Sequence, residues 1–390
     1  MRILILTPEF PPDFGGIGTH CHEMAKHWSN EAEVTVLALT TAQARARGAG
    51  TFELVTVRTA TSRAVRLWRW VREIRRLIAA EPFDVVYVGH WRSCGVAYRI
   101  AAARCERPPH YVQAIHGAEV LYLVRSRRKA LMRGLFRWTV APADRLVALG
   151  EYQAGLLDQL GILRDRVFVS PEGVDPSQFQ KPDTEEAMTR IRERHGLEGR
   201  RVMLTVARLA PHKGHDMVIR ALPAILSSVP DAVYLVVGSG SNEAPLRRLA
   251  AEVGVAQHVR FAGFVPEHDL ATYYYLCDLF IMPSRELDGD TEGFGIVFAE
   301  AAACGKPTIG GRTGGILEAI QEGHTGVLVE PTSTAEIAEA ATRLLSNDDL
   351  ARRMGEAGRQ RVLQHMQYRD IARNILRESC AASAVHGDAA

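Results

Sequence analysis

Short, nearly continuous apolar runs recur along the whole chain and indicate β-strands. The runs do not alternate polar with apolar residues, which is typical of parallel strands that are buried on both faces. Segments with helical periodicity lie between most of them, as at residues 217–226 and 336–345. This alternation of strands and helices predicts parallel sheets covered by helices on both faces. The predicted strands are residues 2–7, 33–40, 52–58, 84–89, 111–115, 145–148, 166–169, 202–207, 232–238, 259–263, 279–282, 307–309 and 325–329.

The predicted elements fall into two similar halves. A chain of 390 residues is long for one compact core, and the periodicity is interrupted between residues 170 and 200 by Pro171, Gly173, Pro176 and Pro182. We therefore predict an α/β fold with two doubly wound, Rossmann-like domains, 1–172 and 173–365. A C-terminal helix at about 366–379 is expected to pack back on the first domain, and the small, polar tail 380–390 is expected to be disordered. Ligands of such sheets bind at the carboxyl ends of the strands, so we expect the site in the cleft between the domains.

Composition and charge narrow the class of protein. Hydrophobic residues make up 47% of the chain and charged residues 24%, as in an ordinary soluble protein, and no apolar run approaches the ~18 to 20 residues that span a bilayer. The six cysteines are scattered without a C-x-x-C pair, which favours reduced thiols in a cytoplasmic protein over disulfides or a zinc site. Residues 1–172 contain 24 Lys+Arg and 16 Asp+Glu, whereas residues 173–390 contain 23 Lys+Arg and 29 Asp+Glu. The basic first half suggests an anionic partner, but without aromatic-interleaved basic motifs nucleic acid is not favoured.

The candidate chemistry begins with two carboxylates, Glu292 and Glu300, on either side of a glycine turn. Gly293 and Gly295 allow a ligand to approach the backbone closely, and the helix that follows offers unpaired N–H groups to anions. A ligand with hydroxyls at both ends and phosphates between them, such as a nucleotide sugar, fits this frame. A solvated helix face is the alternative interpretation.

Two further loops follow predicted strands. Arg208 and Lys213 bracket the turn after the first strand of the second half, where cations reach a diphosphate and stabilise the charge of a leaving group. Gly15 and Gly16 lie in the loop after the first strand of the chain. A dinucleotide-binding fingerprint does not fit this loop, because Cys21 replaces its third glycine and no acid ends the second strand; a plain glycine turn remains the alternative.

These loops occur together with His116-Gly117-Ala118-Glu119, and the combination resembles the GT-B retaining glycosyltransferases of family four, the group that contains sucrose and glycogen synthase relatives. The resemblance extends from residue 2 to about residue 365. It implies the GT-B fold, in which two Rossmann-like domains face each other across a cleft, and transfer of a sugar from a UDP- or GDP-linked donor. It implies no further cofactor and no metal.

The resemblance also implies roles for individual residues. Glu300 would hold the ribose hydroxyls, and Glu292 would hold the donor hexose together with Gly293 and the backbone N–H groups of Phe294 and Gly295. The diphosphate would lie against Arg208 and Lys213, with the Gly15-Gly16 loop close to it. His116 would contact the donor sugar near the reacting carbon. The implied catalytic residues are His116, Glu292, Arg208 and Lys213, and the acceptor-side candidates are Glu9 and Glu119.

Two departures from the family pattern are local. Leu317 stands where relatives commonly carry proline, and residues 286–291 form an unusually acidic insertion. The insertion either binds donor hydroxyls or a cationic acceptor, or is a solvated loop. Asp288 and Asp290 lie in the second domain, so we interpret their Asp-Gly-Asp pattern as coincidence and not as a metal site. Retention without an evident carboxylate nucleophile suggests front-face attack, in which the departing phosphate deprotonates the acceptor hydroxyl.

Residues 63–78 predict a basic amphipathic helix, with an apolar stripe flanked by Trp68 and Trp70 and with arginines opposite. The pattern suits an anionic membrane surface, and equally a helix docked on its own sheet. A second basic cluster adds to the case for a membrane: Arg125, Arg127, Arg128, Lys129, Arg133 and Arg137.

Several functions therefore stay open. The first is a cytoplasmic retaining glycosyltransferase that moves a hexosyl or N-acetylhexosaminyl group to a small polar or saccharide acceptor. The second is a phosphatidylinositol or lipid-linked mannosyltransferase, peripheral at the inner membrane face. A UDP-sugar 2-epimerase and a non-catalytic nucleotide-sugar binding protein are further alternatives. The sequence does not predict the oligomeric state.

Overall fold

The computed structural model describes residues 1–11, 15–40, 52–58, 61–125, 129–182 and 185–387. The chain divides into two compact units: unit 1 comprises residues 1–172 and 368–390, and unit 2 comprises residues 173–367. Two members of the second basic cluster, Arg127 and Arg128, lie outside the described residues.

Unit 1 contains a parallel seven-stranded sheet in the order β3-β2-β1-β4-β5-β6-β7. The strands are β1 (Arg2–Thr7), β2 (Glu33–Thr40), β3 (Glu53–Arg58), β4 (Val85–Val88), β5 (His110–Ile115), β6 (Arg145–Ala148) and β7 (Val167–Val169). The helices are α1 (Gly16–Trp28), α2 (Arg63–Ala80), α3 (Val96–Ala102), α4 (Ala118–Arg125), α5 (Ala130–Val140), α6 (Glu151–Gln159) and α15 (Tyr368–Gly387), and one π-helical turn spans Trp91–Gly95.

The continuous apolar runs bury both faces of this sheet, because successive side chains of a strand point to opposite faces. Ile3 and Ile5 of β1 pack in a core with α1 and α15. Leu4 and Leu6 pack in a second core with α2 to α6. The sheet of unit 1 thus lies between two helical layers.

Unit 2 repeats the arrangement with a parallel six-stranded sheet in the order β10-β9-β8-β11-β12-β13. Its strands are β8 (Arg201–Val206), β9 (Ala232–Val237), β10 (Val259–Gly263), β11 (Leu279–Met282), β12 (Thr308–Gly311) and β13 (Gly326–Val329). Its helices are α7 (Glu185–His195), α8 (His215–Ser228), α9 (Glu243–Glu252), α10 (Glu267–Leu276), α11 (Ile296–Ala303), α12 (Ile316–Ala319), α13 (Thr334–Leu345) and α14 (Asp348–His365).

The fold prediction is confirmed: in the described part of the chain all thirteen predicted strands form, with ends within two residues of those expected. Each sheet reverses its winding at one point. In unit 1, β1 pairs with both β2 and β4, and in unit 2, β8 pairs with both β9 and β11. Such reversal points leave a crevice at the carboxyl ends of the strands, where ligands bind.

Two local expectations are wrong. Trp70 of α2 does not flank the apolar stripe but lies in the core, 1% exposed, whereas Trp68 is 59% exposed. The last helix, α15, continues to Gly387, so residues 380–387 of the predicted disordered tail are helical in backbone, and 388–390 lie outside the described residues. Within those described residues no helix is both long and apolar enough to cross a membrane.

Candidate functional site

The loop after β8 presents two cations at the reversal point of the unit 2 sheet. It forms a short 3-10 turn, Pro211–Lys213, and then enters α8 through Gly214 at φ +79°. A Cβ at position 214 would overlap the carbonyl of Pro283, at the end of β11. Glycine at position 214 is therefore needed both for the left-handed turn and for the close approach of the two loops.

Lys213 forms an ion pair with Glu292, and each side chain is only 14% exposed. The sequence analysis assigns these residues to different parts of the ligand, and the structure brings them into direct contact. Arg208, in the same loop, is exposed. His212 lies in the same loop, and its pKa is lowered by burial and by Lys213, with opposition from Glu292 and Asp290 and a smaller contribution from Arg208.

The turn after β11 is held by glycine contacts with the loop after β12. Gly315 N–H donates a hydrogen bond to the Glu292 carbonyl at 3.1 Å, and a Cβ at position 315 would overlap the carbonyl of Gly293. Gly295, at φ +80°, caps the N-terminus of α11, and the Phe294 side chain is buried beneath the turn. Glu292 and the start of α11 are thereby fixed side by side.

Glu300 lies in the second turn of α11 and is half-buried. Burial raises the pKa of its carboxyl group to about 7, although the Tyr274 hydroxyl donates a 2.6 Å hydrogen bond that favours the carboxylate. A carboxylate that accepts hydrogen bonds at neutral pH is suited to hold vicinal hydroxyls.

Unit 1 places its candidates at the reversal point of its own sheet. Gly15 is the N-cap of α1, and a Cβ there would overlap the carboxylate of Glu9. Gly16, the next residue, has open space on its Cβ side. No contact within the described protein therefore requires glycine at position 16, while a close ligand would. Residues 12–14 of the same loop lie outside the described residues.

His116 follows β5, which is separated by β4 from β1, the strand at the reversal point. Its backbone N–H donates to Glu119 Oε1 at 2.9 Å, so Glu119 fixes the turn that presents His116. Burial lowers the pKa of the imidazole to about 3, with a further contribution from His20 and opposition from Glu172. His116 is therefore neutral at physiological pH, and its Nε2 atom has no hydrogen-bond partner in the described part of the chain.

Sequence reasoning missed the residues around His116. His20 and Glu172 lie beside it, with ring centroids of the two histidines 5.4 Å apart and His116 Nδ1 4.0 Å from Glu172 Oε1. His90, after β4, also lowers the pKa of His116. Their common signal is that each stands just after an apolar run or a glycine loop, where the carboxyl ends of neighbouring strands converge.

Comparison with known protein families gives matches over both halves of the chain. Residues 14–178 match the profile of "Glycosyltransferase Family 4", and residues 187–361 match that of "Glycosyl transferases group 1". A relative from Mycolicibacterium smegmatis, GDP-mannose-dependent alpha-(1-6)-phosphatidylinositol monomannoside mannosyltransferase, is 32% identical over 94% of this chain and 95% of its own length. A D-inositol 3-phosphate glycosyltransferase from Acidothermus cellulolyticus is 35% identical over 67% of this chain and 60% of its own length.

Solved structures with the same fold include a complex with UDP-glucose and a sucrose-phosphate synthase. Anabaena HepE in complex with UDP-glucose superposes with a TM-score of 0.82, at 22% identity, over 98% of this chain and 100% of the other. Sucrose-phosphate synthase from Thermosynechococcus elongatus gives a TM-score of 0.80, at 19% identity, over 98% of this chain and 99% of the other. At these identities the likeness establishes the GT-B fold.

Proposed function

This chain belongs to glycosyltransferase family 4, and on that premise we propose that it moves a hexosyl group from a nucleotide-diphosphate sugar to an acceptor hydroxyl, with retention of configuration and without a metal ion. The family is one of transferases, which favours transfer over the epimerase and the non-catalytic alternatives. The observation that carries the proposal is the ion pair of Lys213 with Glu292 at the reversal point of the unit 2 sheet.

Unit 2 binds the donor in this proposal. Lys213 and Arg208 supply the positive charge of the loop after β8, and a bound diphosphate would be attracted to both of them. Negative charge on the diphosphate grows as the glycosidic bond breaks, so fixed cations there stabilise the transition state more than the ground state. Glu300 accepts the ribose hydroxyls, and Glu292 accepts hydroxyls of the hexose.

Unit 1 contributes His116 and the open side of Gly16. A neutral imidazole with an unpartnered Nε2 can accept a hydrogen bond from a hydroxyl of the donor sugar. Glu119 holds the turn of His116, and we assign it a positioning role beside the acceptor-side role that the resemblance implies. Glu9, packed over Gly15, remains the acceptor-side candidate of the first loop.

Retention follows from front-face attack in this proposal, since both unit 2 carboxylates have other tasks: Glu292 pairs with Lys213, and Glu300 accepts from Tyr274. The departing phosphate takes the proton of the acceptor hydroxyl as the new bond forms. Isolation of a covalent glycosyl-enzyme on a carboxylate, identified by mass spectrometry of rapidly quenched reactions, would contradict this step.

The donor is tested first by calorimetric titration with UDP, GDP and ADP and then with their hexose conjugates, with EDTA present throughout. GDP-mannose is the first conjugate to try, because the relative from M. smegmatis is described as GDP-mannose-dependent. We expect one nucleotide to bind. Glu300→Ala should weaken the binding of that nucleotide, whereas His116→Ala should mainly lower turnover. Absence of binding by every nucleotide and conjugate would contradict the proposal.

A second candidate, transfer to a lipid-linked acceptor at a membrane surface, is favoured by exposed apolar side chains on unit 1. Trp68 and Val65 of α2 are 59% and 42% exposed, and Arg72 stacks over the Trp68 ring at 5.4 Å. Leu131 and Trp138 of α5, which packs against the same face of the sheet, are 91% and 43% exposed. Aromatic and aliphatic side chains beside arginines are typical of surfaces that bind anionic lipid.

Flotation with phosphatidylcholine vesicles, with and without phosphatidylglycerol, tests this surface. We expect binding only to the anionic vesicles, loss of binding in high salt, and weaker binding by Trp68→Ser with Arg72→Ser. Leu163→Ser removes another exposed side chain of unit 1, 67% exposed, and serves as the matched control. Equal flotation of both variants would contradict the assignment of the surface, and no flotation at low salt would contradict membrane binding itself.

A further inference from the structure

A buried polar network in unit 1 surrounds the carboxylate of Glu172. Its Oε2 atom lies 3.2 Å from Nδ1 of His20 and accepts a hydrogen bond from the Tyr368 hydroxyl at 3.1 Å. The side chain of His20 is fully buried, and Tyr368 is 4% exposed. Burying a charge is unfavourable unless hydrogen bonds compensate it, so a buried carboxylate at this position suggests that its negative charge has a function.

Tyr87 determines how the proton of His20 is placed. Its hydroxyl lies 2.7 Å from Nε2 of His20, and burial raises the pKa of the phenol. Tyr87 therefore stays protonated, and its hydroxyl donates a hydrogen bond to Nε2. Nδ1 of His20 then carries the ring proton and donates to Glu172. Burial opposes ionisation of Glu172, but its interaction with His20, with smaller contributions from His116 and Tyr368, holds its pKa below the ordinary value.

The second oxygen of the same carboxylate faces His116. Glu172 Oε1 lies 4.0 Å from Nδ1 of His116, a distance for electrostatic attraction rather than a hydrogen bond. The titratable groups that face His116 from other elements are His20 on α1, His90 after β4 and Glu172 after β7. Glu172 is the negative one among them. A neutral imidazole carries one proton, and a nearby negative charge favours that proton on the nearer nitrogen.

We propose that Glu172, fixed by His20 and Tyr368, is a positioning residue for His116: it holds the imidazole proton on Nδ1, so that Nε2 presents a lone pair to a hydroxyl of the bound sugar. The inference rests on the proposed function, in which His116 contacts the donor sugar. A carboxylate that orients an imidazole in this way sets which nitrogen can accept a proton or a hydrogen bond. The carbonyl of Gly89 also faces the ring and has a smaller effect on its pKa than Glu172 has.

Glu172→Gln removes the charge and keeps the shape, and Glu23→Gln is its matched control. Glu23 is also a buried carboxylate between two histidines of unit 1, 3.5 Å from His22 Nδ1 and 3.5 Å from His27 Nε2, and it lies outside the site. Both substitutions therefore remove one buried, histidine-paired charge. Thermal unfolding, steady-state kinetics and ¹⁵N NMR of the histidine side chains are measured for the wild type and both variants, with His116 assigned by its absence in His116→Gln.

We expect His116 of the wild type to be the Nδ1–H tautomer. In Glu172→Gln the tautomer shifts, kcat falls about 10-fold or more and the donor KM changes little, whereas Glu23→Gln keeps the wild-type kcat and tautomer. Glu172→Asp, which keeps the charge, should restore part of the lost turnover. If Glu172 had only a structural role, both Gln variants would change the unfolding temperature, but the tautomer of His116 would stay as in the wild type.

Three results overturn the inference: an Nε2–H tautomer in the wild type, an unchanged tautomer in Glu172→Gln, or a kcat loss in Glu23→Gln equal to that in Glu172→Gln. The first of these needs only the wild-type protein, so it decides the matter even where Glu172→Gln does not fold. The NMR experiment needs no substrate. A wild type that transfers no sugar but has His116 as the Nδ1–H tautomer would therefore contradict the proposed function and leave the positioning by Glu172 standing.

Discussion

At the scale of single residues, Glu300 links nucleotide binding to pH. Its carboxyl group has a pKa of about 7, so it loses its proton within the physiological range. Only the carboxylate accepts two hydroxyl hydrogen bonds at full strength. We therefore expect nucleotide affinity, measured by calorimetry, to rise between about pH 6 and about pH 8 in the wild type. In Glu300→Gln affinity should be weaker and nearly independent of pH, and an equal pH dependence in the variant would contradict the assignment.

The same pKa predicts an opposite effect on stability. The folded-state pKa lies above the ordinary value of 4.5, so the contribution of Glu300 to stability is fully present below about pH 4.5 and is lost as pH rises through about 7. At pH 8 the buried carboxylate destabilises the free protein by at most about 3 kcal/mol. Glu300→Gln should consequently unfold at a higher temperature than the wild type at pH 8, with a smaller difference at pH 5. Equal differences at the two pH values would show that the charge of Glu300 is not responsible.

The ion pair of Lys213 and Glu292 makes a second prediction at this scale. Each side chain is 14% exposed, so removal of one partner leaves a poorly solvated charge. We expect Lys213→Met alone or Glu292→Gln alone to lower the free energy of unfolding by about 2 kcal/mol, and the double variant to lower it by less than the sum. Urea unfolding measures all three. The exposed pair of Arg352 with Asp349 is the control and should show a coupling energy near zero. If the effects of Lys213→Met and Glu292→Gln were also additive, the Lys213–Glu292 pair would be as weak as the control pair.

At the scale of elements, the site in unit 2 depends on loops that touch backbone to backbone. A Cβ at Gly315 would overlap the carbonyl of Gly293, and the backbone of Gly315 is in an ordinary helical conformation. Gly315→Ala should therefore displace the turn that carries Glu292, lower the free energy of unfolding by several kcal/mol and weaken nucleotide binding. Gly155→Ala in α6, where nothing lies within 4 Å of the added atom, should instead stabilise unit 1 by up to about 1 kcal/mol. Wild-type affinity in Gly315→Ala would show that the turn tolerates displacement.

The elements were more predictable than the contacts between side chains. Strands buried on both faces leave continuous apolar runs in the sequence, and the glycine loops after them mark where a ligand can approach. Nothing local predicts that Lys213 pairs with Glu292, 79 residues away, or that His20 meets Glu172, 152 residues away. The helical period of α2 predicted its buried face but not the burial of Trp70. A residue at the border of an apolar stripe is buried or exposed according to the helix that packs beside it.

At the scale of the whole molecule, each unit has its own pair of cores, but the two units differ in how the chain supplies them. Unit 2 is continuous from residue 173 to residue 367. Unit 1 takes its last helix from the far end of the chain: Ile371 and Ile375 of α15 are buried in the core with α1. Trp28 of α1 donates a 2.7 Å hydrogen bond to the Ala372 carbonyl. Unit 1 is thus complete only when both segments are present.

This difference predicts how the separated pieces fold. A fragment of residues 173–367 should unfold cooperatively and, if unit 2 binds the donor, its unfolding temperature should rise with added nucleotide. A fragment of residues 1–172 leaves the apolar face of α1 uncovered and should aggregate or bind a hydrophobic dye. The side chains of Glu172 and Tyr368 meet at 3.1 Å, so a short glycine linker from residue 172 to residue 368 should restore a folded unit 1. Circular dichroism and calorimetry of the three chains measure these outcomes. A stable, cooperative 1–172 fragment would mean that α15 is dispensable, because the sheet and its second core would then suffice.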